Sequence, residues 1–477
     1  MLTYNFTNIG SDSLYEYLYK CIKNDILQGN IKAGEKLPSK RTFAKNLGIS
    51  VITVENAYAQ LISEGYIYSL PKRGFYVTDF KQAIEIEKKT FAPEVIPLTG
   101  GDHGYLADFT SNQTESELFP FTIWTKTIRE VLNDSQIQLM INPPCGGVLS
   151  LRKAIAKHLK EFRGMTVLPE QIIIGAGTEY LYGLLIQLLG THRIYAVENP
   201  GYQKIAKIYK SYRVCCEYIS MDDAGVDISE LEEKKAEIIH ISPSHHYPTG
   251  IVMPISRRYE LLGWASKSEN RYIIEDDYDS ELRLCGQPIP TLQSIDISDK
   301  VIYMNTFTKT LASTARISYM ILPKILLNQY YKQLSFYSCT VSNFEQYTLA
   351  KFMEEGYFEK HINRLRSYYL NKRNKIIDTI KNNRLNDYVS IIGEEAGVHF
   401  LLKIDTAKSE HALMELASAQ GIKLSPLSSY YHDNKKNVEN IYIMNYSSIP
   451  IEKIEEIIER LAKCCESSEK GAAAKSR

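Results

Sequence analysis

The stretch VIYMNTFTKTLASTAR, residues 301–316, carries the motif that best indicates the fold of the larger part of this chain. Its first four residues form an apolar run typical of a buried strand, and small hydroxylated residues follow directly. Lys309 lies just after Thr306 and Thr308, and Arg316 follows seven positions later. A lysine amine can form a Schiff base with an aldehyde, while hydroxyls and a guanidinium can hold a phosphate. An isolated lysine is more often a solvated loop residue, so its interpretation depends on partners elsewhere in the sequence.

A second strand-like run ends in acids. It reads RYIIEDDY and covers residues 271–278. A carboxylate at the end of a strand can pair with a protonated ring nitrogen, and we assign that role to Asp276. Tyr278 can hydrogen-bond a ring hydroxyl. With Lys309, these are the groups that a pyridoxal phosphate (PLP) site needs, since the ring nitrogen must stay protonated for the ring to accept electrons.

Two further motifs follow predicted strands. QIIIGAGTE, residues 171–179, reads as strand, glycine turn and helix start, and an apolar helix follows over 180–189. Backbone amides and the helix dipole at such an N-terminus suit a phosphate. The predicted phosphate-binding residues are Gly175, Ala176, Gly177 and Thr178. ENPGY, residues 198–202, places Tyr202 where it can stack on the ring.

These motifs resemble those of fold type I aminotransferases, over residues 108–463. PSHHYPTG, residues 243–250, and EDDYDSE, residues 275–281, are similar to one branch, the MocR subfamily of GntR-type bacterial regulators. In that subfamily an aminotransferase-like domain follows a DNA-binding domain. The resemblance implies a C-terminal α/β PLP-dependent transferase domain used by a transcription regulator, with Lys309 as its Schiff-base residue.

The front of the chain has the pattern of a winged helix-turn-helix domain. A helix is predicted over 15–27, and Ser39 and Ser50 are predicted to cap two further helices, over 40–47 and from 51 to about 64. Two short strands joined by a basic tip complete the pattern. Its Leu-Pro-Ser-Lys-Arg phrase and basic hairpin tip resemble the GntR family closely.

In this arrangement the third helix enters the major groove of DNA. The predicted base contacts are Ile52, Thr53 and Asn56, with Ser50 at the start of the same helix. The predicted phosphate and minor-groove contacts are Ser39, Lys40, Arg41, Lys72 and Arg73. For any single lysine, a solvated surface position is an equally good interpretation.

Chain length, net charge and cysteine spacing limit the number of domains and the classes of function. A chain of 477 residues predicts two domains, and the net charge of zero argues against a general polyanion binder but not against a local basic surface. The predicted division is a winged helix-turn-helix at 1–78, a linker at 79–107, an aminotransferase-like domain at 108–463 and a disordered tail at 464–477. The eight cysteines have no Cys-x-x-Cys spacing, so we expect reduced thiols and no metal site. We expect no membrane span, no export signal and a cytoplasmic location.

The expected carboxylate clamp of an aminotransferase is missing from the sequence. The arginine that usually holds the substrate carboxylate has no counterpart in residues 441–448. In GABA-responsive members of this group, arginines lie at positions that match Gln203–Lys204 and Ser429 here. Lys204 and Ser429 are therefore the candidate effector residues, although a lysine is only a point charge and a serine has none. The tyrosine of Tyr247-Pro248-Thr249-Gly250 also replaces an asparagine of the family pattern.

Two functions remain open. The first is a regulator that binds double-stranded promoter DNA and senses an amino compound or PLP itself, with vitamin B6 or amino acid metabolism as its target. The second is a working aminotransferase that carries a DNA-binding module. The winged helix and the missing arginine favour the first. The resemblance also implies a homodimer, assembled head to tail.

Overall fold

A computed structural model of the chain describes residues 2–6, 12–79, 104–111, 113–284, 286, 289–394, 397–432 and 438–466. The chain divides into two compact units, residues 1–100 and 101–477. Most of the predicted linker, residues 80–103, and most of the predicted tail, residues 467–477, lie outside the described residues.

The first unit is a three-helix core with a small antiparallel sheet. Its helices are α1 (Leu14–Gln28), α2 (Lys40–Leu47) and α3 (Val51–Ser63). Its strands are β1 (Lys36–Leu37), β2 (Ile67–Leu70) and β3 (Gly74–Val77), in the order β1-β3-β2. Apolar side chains at helical spacing bury one core, in which Phe43 and Tyr58 lie with ring centroids 6.1 Å apart. The winged helix-turn-helix prediction is confirmed, while β1 was not predicted.

The second unit is built around an eight-stranded sheet with the order β5-β12-β11-β10-β9-β6-β7-β8. Its strands are β5 (Ile172–Gly175), β6 (Ile194–Asn199), β7 (Cys215–Asp222), β8 (Gly225–Val226), β9 (Ile238–Ile241), β10 (Tyr272–Asp276), β11 (Val301–Thr306) and β12 (Ser318–Ile321). Strands β11, β10, β9, β6 and β7 are parallel, and β12 is antiparallel to both of its neighbours. The central strands are fully buried, which explains why they read as continuous apolar runs.

Helices cover this sheet and lead to a second lobe. The helices are α4 (Phe121–Asp134), α5 (Gln136–Leu139), α6 (Leu149–Arg163), α7 (Thr178–Leu189), α8 (Gln203–Ser211), α9 (Ile228–Glu233), α10 (Ile255–Ser266), α11 (Leu292–Ile295), α12 (Lys324–Gln333), α13 (Asn343–Glu354), α14 (Tyr357–Lys381), α15 (Glu410–Ala419) and α16 (Ile454–Cys465). The lobe contains an antiparallel sheet, β13-β14-β17-β16, made of Val389–Ile392, His399–Ile404, Ile441–Asn445 and Ser425–Pro426. The predicted α/β class of this domain is confirmed.

Two domain boundaries differ from the prediction. Ala107, placed in the linker, belongs to strand β4 (Ala107–Asp108), which pairs in parallel with β15 (Ile422–Lys423). Cys464 and Cys465, placed in the disordered tail, are buried in the last turn of α16. The helix extends this far because its apolar face continues to pack on the lobe core.

Candidate functional site

The carboxyl ends of the parallel strands face a cavity of about 220 Å³ in the second unit. Its lining residues come from the carboxyl ends of four strands (β6, β9, β10 and β11), from the segment before β12 and from the two helices that follow β5 and β6. They are Thr178, Glu179, Tyr182, Glu198, Tyr202, Lys204, Ile205, Ile208, Ser242, Tyr247, Asp276, Tyr278, Thr306, Thr308, Lys309 and Arg316. The topology therefore brings together most of the residues predicted to bind PLP, from segments up to 138 positions apart in sequence (Thr178 to Arg316).

Lys309 is a buried amine in the turn after β11, with 8% of its surface exposed. Burial lowers the pKa of Lys309 to about 8, because the interior disfavours the ammonium form, and the nearby Asp279 carboxylate opposes this shift. A substantial fraction of the amine is therefore neutral near physiological pH, which is the form that attacks an aldehyde.

Asp276 ends β10 and is held by two buried side chains. Tyr182 donates its hydroxyl to Asp276 Oδ2 at 2.7 Å, and His240 Nε2 lies 3.4 Å from the same oxygen. His240 Nδ1 in turn lies 2.7 Å from the Tyr209 hydroxyl. Within the described part of the chain, the buried Oδ1 of Asp276 has no hydrogen-bond partner. A buried carboxylate oxygen left in this way can accept a hydrogen bond from a ligand in the cavity.

Arg316 lies over the glycine turn that begins α7. Gly177 has φ of +91°, and a Cβ atom there would approach the Arg316 guanidinium to 2.6 Å, so a side chain at this position would displace the arginine. The hydroxyls of Thr306 and Thr308 lie 2.7 Å apart, and Ser318 donates to Thr306 at 2.8 Å.

Of the four turn residues predicted to bind phosphate, Thr178 lines the cavity and the other three do not. The Ala176 amide donates to the Thr340 hydroxyl at 2.9 Å. Gly177 N donates to the carbonyl of Gly175 at 2.9 Å. Both of these amides already have acceptors, so the turn serves the cavity through Thr178 and through the missing side chain of Gly177.

Several cavity residues were not predicted from the sequence. Glu198, at the end of β6, is buried and accepts a hydrogen bond from the Ser242 amide at 3.0 Å. Burial, with a smaller contribution from the Asp276 carboxylate, raises the pKa of Glu198 to about 8, and the Ser242 hydrogen bond opposes this shift. Tyr247 donates to or accepts from the Tyr430 hydroxyl at 2.9 Å. Glu198 lay within a quoted motif, but its burial beside Asp276 had no local signal.

Tyrosines form the remaining walls. Tyr202 is 43% exposed and meets Tyr247 edge to face, with centroids 6.0 Å apart. The Tyr278 hydroxyl lies 3.3 Å from His245 Nδ1, which is also 2.7 Å from Asp279 Oδ2. Burial holds the pKa of Tyr278 well above its usual value, so its hydroxyl stays protonated.

Of the two candidate effector residues, Lys204 lines the cavity and Ser429 does not. Lys204 forms an ion pair with Glu179. Ser429 donates its hydroxyl to the carbonyl of Pro426 at 2.8 Å. Its carbonyl accepts from Gln203 Nε2 at 2.7 Å, so Ser429 fixes α8 rather than presenting a side chain to a ligand.

The first unit carries the predicted DNA-contact residues on its surface. Ser39 caps α2 by accepting from Thr42 N at 3.2 Å, and Ser50 caps α3 by accepting from Thr53 N at 3.1 Å. Ile52 is 68% exposed at the start of α3. Asn56, Arg41, Lys72 and Arg73 are also exposed, the last two at the turn between β2 and β3. Lys40 differs, because its ammonium lies 2.6 Å from Glu55 Oε1 and is partly neutralised.

Across the described residues, no group of three or more His, Cys, Asp or Glu side chains is arranged to hold a metal ion. Among the helices in those same ranges, none combines the length and the apolar character required to cross a membrane.

The cavity fits PLP. Asp276 Oδ1 offers a buried acceptor for the ring nitrogen, and Lys309 offers an amine for the aldehyde. Arg316 and the side-chain-free Gly177 leave room and charge for a phosphate beside the start of α7. Arg316, Asp276 and Lys309 thus match the phosphate, the ring nitrogen and the aldehyde of the cofactor.

Comparisons with known proteins agree with this geometry. Residues 106–461 match the family model "Aminotransferase class I and II", and residues 14–77 match "Bacterial regulatory proteins, gntR family". The chain is 38% identical to the HTH-type transcriptional regulator YdeL of Bacillus subtilis, over 88% of this chain and 90% of that one. It is 29% identical to the probable rhizopine catabolism regulatory protein MocR of Rhizobium meliloti, over 88% and 87%.

Among solved structures, the kynurenine aminotransferase of Pyrococcus horikoshii is similar in fold. Its TM-score is 0.66 at 24% identity, and the match covers 76% of this chain and 91% of that one. The second unit therefore has the fold of PLP-dependent aminotransferases.

Proposed function

Because this chain belongs to the MocR subfamily of GntR-type transcription regulators, with a class I and II aminotransferase domain, we propose that it is a PLP-dependent sensor that controls promoter binding. The observation that carries this proposal is the single cavity in which Lys309, Asp276 and Arg316 are brought together. Its effector is an amino compound that reaches Lys309, or PLP itself.

We assign the cofactor contacts to this chain's own residues. Asp276, held by Tyr182 and His240, accepts a hydrogen bond from the ring nitrogen and keeps it protonated. Arg316, Thr178, Thr306 and Thr308 hold the phosphate, and Tyr202 and Tyr278 bound the ring. When bound, PLP supplies an aldehyde that captures amines and a ring that withdraws electrons.

Lys309→Ala should abolish covalent cofactor attachment. The wild-type protein loaded with PLP should be yellow, and borohydride should fix the label on Lys309. Because burial lowers the pKa of Lys309 to about 8, the rate of PLP capture should rise with pH through about 8 rather than near 10.5. Absorbance and peptide mapping measure both effects, and Lys324→Ala, at an exposed lysine of α12, is the matched control. Reduced cofactor mapped to another lysine contradicts the assignment.

The cavity supports a sensor rather than an amino acid transaminase. Of the described residues that line it, Arg316 is the only arginine, and Lys204 is already paired with Glu179. Transamination requires the substrate to be held so that its Cα–H bond stands perpendicular to the ring. A carboxylate clamp normally provides this orientation, and a displacement of about 1 Å can cost on the order of a hundredfold in rate.

Slow half-transamination is therefore expected with every common amino acid. The PLP-loaded protein is mixed with each amino acid in turn, and the loss of its visible band is followed with time. Free PLP under the same conditions gives the uncatalysed reference. Rapid conversion to pyridoxamine phosphate with any of them would place the protein among the enzymes instead.

We propose that the exposed face of the first unit binds DNA through α3 and the β2–β3 turn. Ile52, Thr53 and Asn56 point from the first turns of α3, and Arg41, Lys72 and Arg73 supply charge nearby in sequence. Because α2 and α3 begin at capped, exposed N-termini, their ends suit backbone phosphates.

Removing these charges should weaken DNA binding and flatten its salt dependence. Arg41→Ala and Arg73→Ala should each reduce the log–log salt slope by roughly one unit, since each loses a phosphate contact. Asn56→Ala should instead change sequence preference. Binding is measured on a DNA fragment selected by the full-length protein, with Lys157→Ala, on the second unit, as the control. A fragment of residues 100–477 that still bound this DNA would refute the proposal.

We also propose that the protein is a homodimer. Large apolar side chains are exposed on the second unit around α5, where Ile137 is 76%, Met140 78% and Ile141 59% exposed. Asn343 donates to the carbonyls of residues 138, 139 and 141, which places the 43%-exposed Phe344 beside this segment. A clustered apolar surface of this kind is typical of an interface.

Charge at this surface should dissociate the dimer. Met140→Glu should lower the sedimenting mass from twice the chain mass towards 54.5 kDa at micromolar concentration. Ile297→Glu, at a 99%-exposed position elsewhere, should leave it unchanged. A wild-type protein that sediments as a monomer contradicts this part of the proposal.

A further inference from the structure

A carboxylate lies at the phosphate end of the cavity, in the first turn of α7. Glu179 Oε2 is 3.5 Å from Arg316 Nη2, and its other oxygen pairs with Lys204. All three side chains line the cavity and each is roughly half exposed. The hydrogen bond from the Lys204 ammonium lowers the pKa of Glu179 and burial opposes this shift, so Glu179 is ionised at neutral pH.

Glu179 uses the same two attractions that a cofactor phosphate uses. One is the guanidinium of Arg316, which Gly177 allows to lie directly over the turn. The other is the N-terminus of α7, where a negative charge in the first turn is stabilised by the helix dipole. A carboxylate attached to the chain occupies these partners without losing translational freedom.

We propose that Glu179 competes with the cofactor phosphate for Arg316 and so lowers the affinity for PLP. This inference rests on the proposed function and adds a residue that sets cofactor affinity. Lys204, in α8, is the positioning partner, because its ammonium pairs with one carboxylate oxygen of Glu179. A bound phosphate then replaces the interaction of Glu179 with Arg316, while the ion pair of Glu179 with Lys204 is retained.

The arrangement makes distinct predictions for ligands with and without a phosphate. Exposed ion pairs are weak and screened by salt, so the effect of one carboxylate is modest, on the order of threefold in the dissociation constant. Glu179→Gln keeps the shape of the side chain but removes its charge. It should tighten PLP about threefold and leave pyridoxal, which has no phosphate, unchanged.

Lys204 provides the second part of the test. Lys204→Ala should weaken PLP, because Glu179 is then left beside Arg316 and the phosphate. In the Glu179→Gln background the same substitution should have little effect, because Lys204 acts through Glu179. If Lys204 instead bound the phosphate directly, its removal would weaken PLP equally in both backgrounds.

The experiment is an equilibrium titration of the cofactor-free full-length protein with PLP and with pyridoxal, followed by absorbance at low and at high salt. Glu170→Gln, at a carboxylate outside the cavity, is the matched control. The inference is supported if Glu179→Gln changes the affinity for PLP but not for pyridoxal, and if this change is smaller at high salt. Unchanged or weaker PLP binding by Glu179→Gln overturns the inference, and so does an equal gain for pyridoxal. A wild-type protein that binds neither ligand would refute the proposed function itself, which is a distinct result.

Discussion

Burial of the Asp276 carboxylate is the constraint on which the cavity depends. A carboxylate removed from water is costly unless hydrogen bonds stabilise it, and here Tyr182 and His240 both approach Oδ2. Each comes from a different element, so α7, β9 and β10 must all be in place before the charge is accommodated. The position of Asp276 Oδ1, the oxygen that can accept from a ligand, is thus fixed by the same packing that forms the sheet.

The parallel sheet explains why the other groups converge. Successive parallel strands end at one edge, so Glu198, Asp276 and the turn that carries Lys309 meet there, although they are far apart in sequence. The helix that follows β5 adds its N-terminus and Glu179 to the same edge. The cavity residues lie at strand ends, in the turns after them and in α7 and α8, and the buried sheet fixes their positions.

Local sequence patterns predicted the helix starts and the buried strands, because capping and strand burial depend on residues that are close in sequence. Serine caps marked the starts of α2 and α3, and apolar runs marked β5, β10 and β11. The supports of Asp276 had no such signal, since Tyr182 and His240 lie 94 and 36 residues from it in sequence. Nor does a sequence motif show that the Ser429 hydroxyl donates to the Pro426 carbonyl or that the Ala176 amide donates to the Thr340 hydroxyl. Pairing between distant side chains is set by packing, and a single sequence does not display it.

The proposed sensor function requires that PLP capture at Lys309 changes the affinity of the protein for DNA. Allosteric coupling typically amounts to about 1–3 kcal/mol, which is a change of about fivefold or more in a dissociation constant. The most direct test measures the affinity for a selected DNA fragment with and without saturating PLP, in the wild type and in Lys309→Ala. The dissociation constant for DNA should shift about fivefold or more on PLP binding in the wild type, and much less in Lys309→Ala. Equal DNA affinity in the two states, with PLP shown to be attached at Lys309, would contradict it.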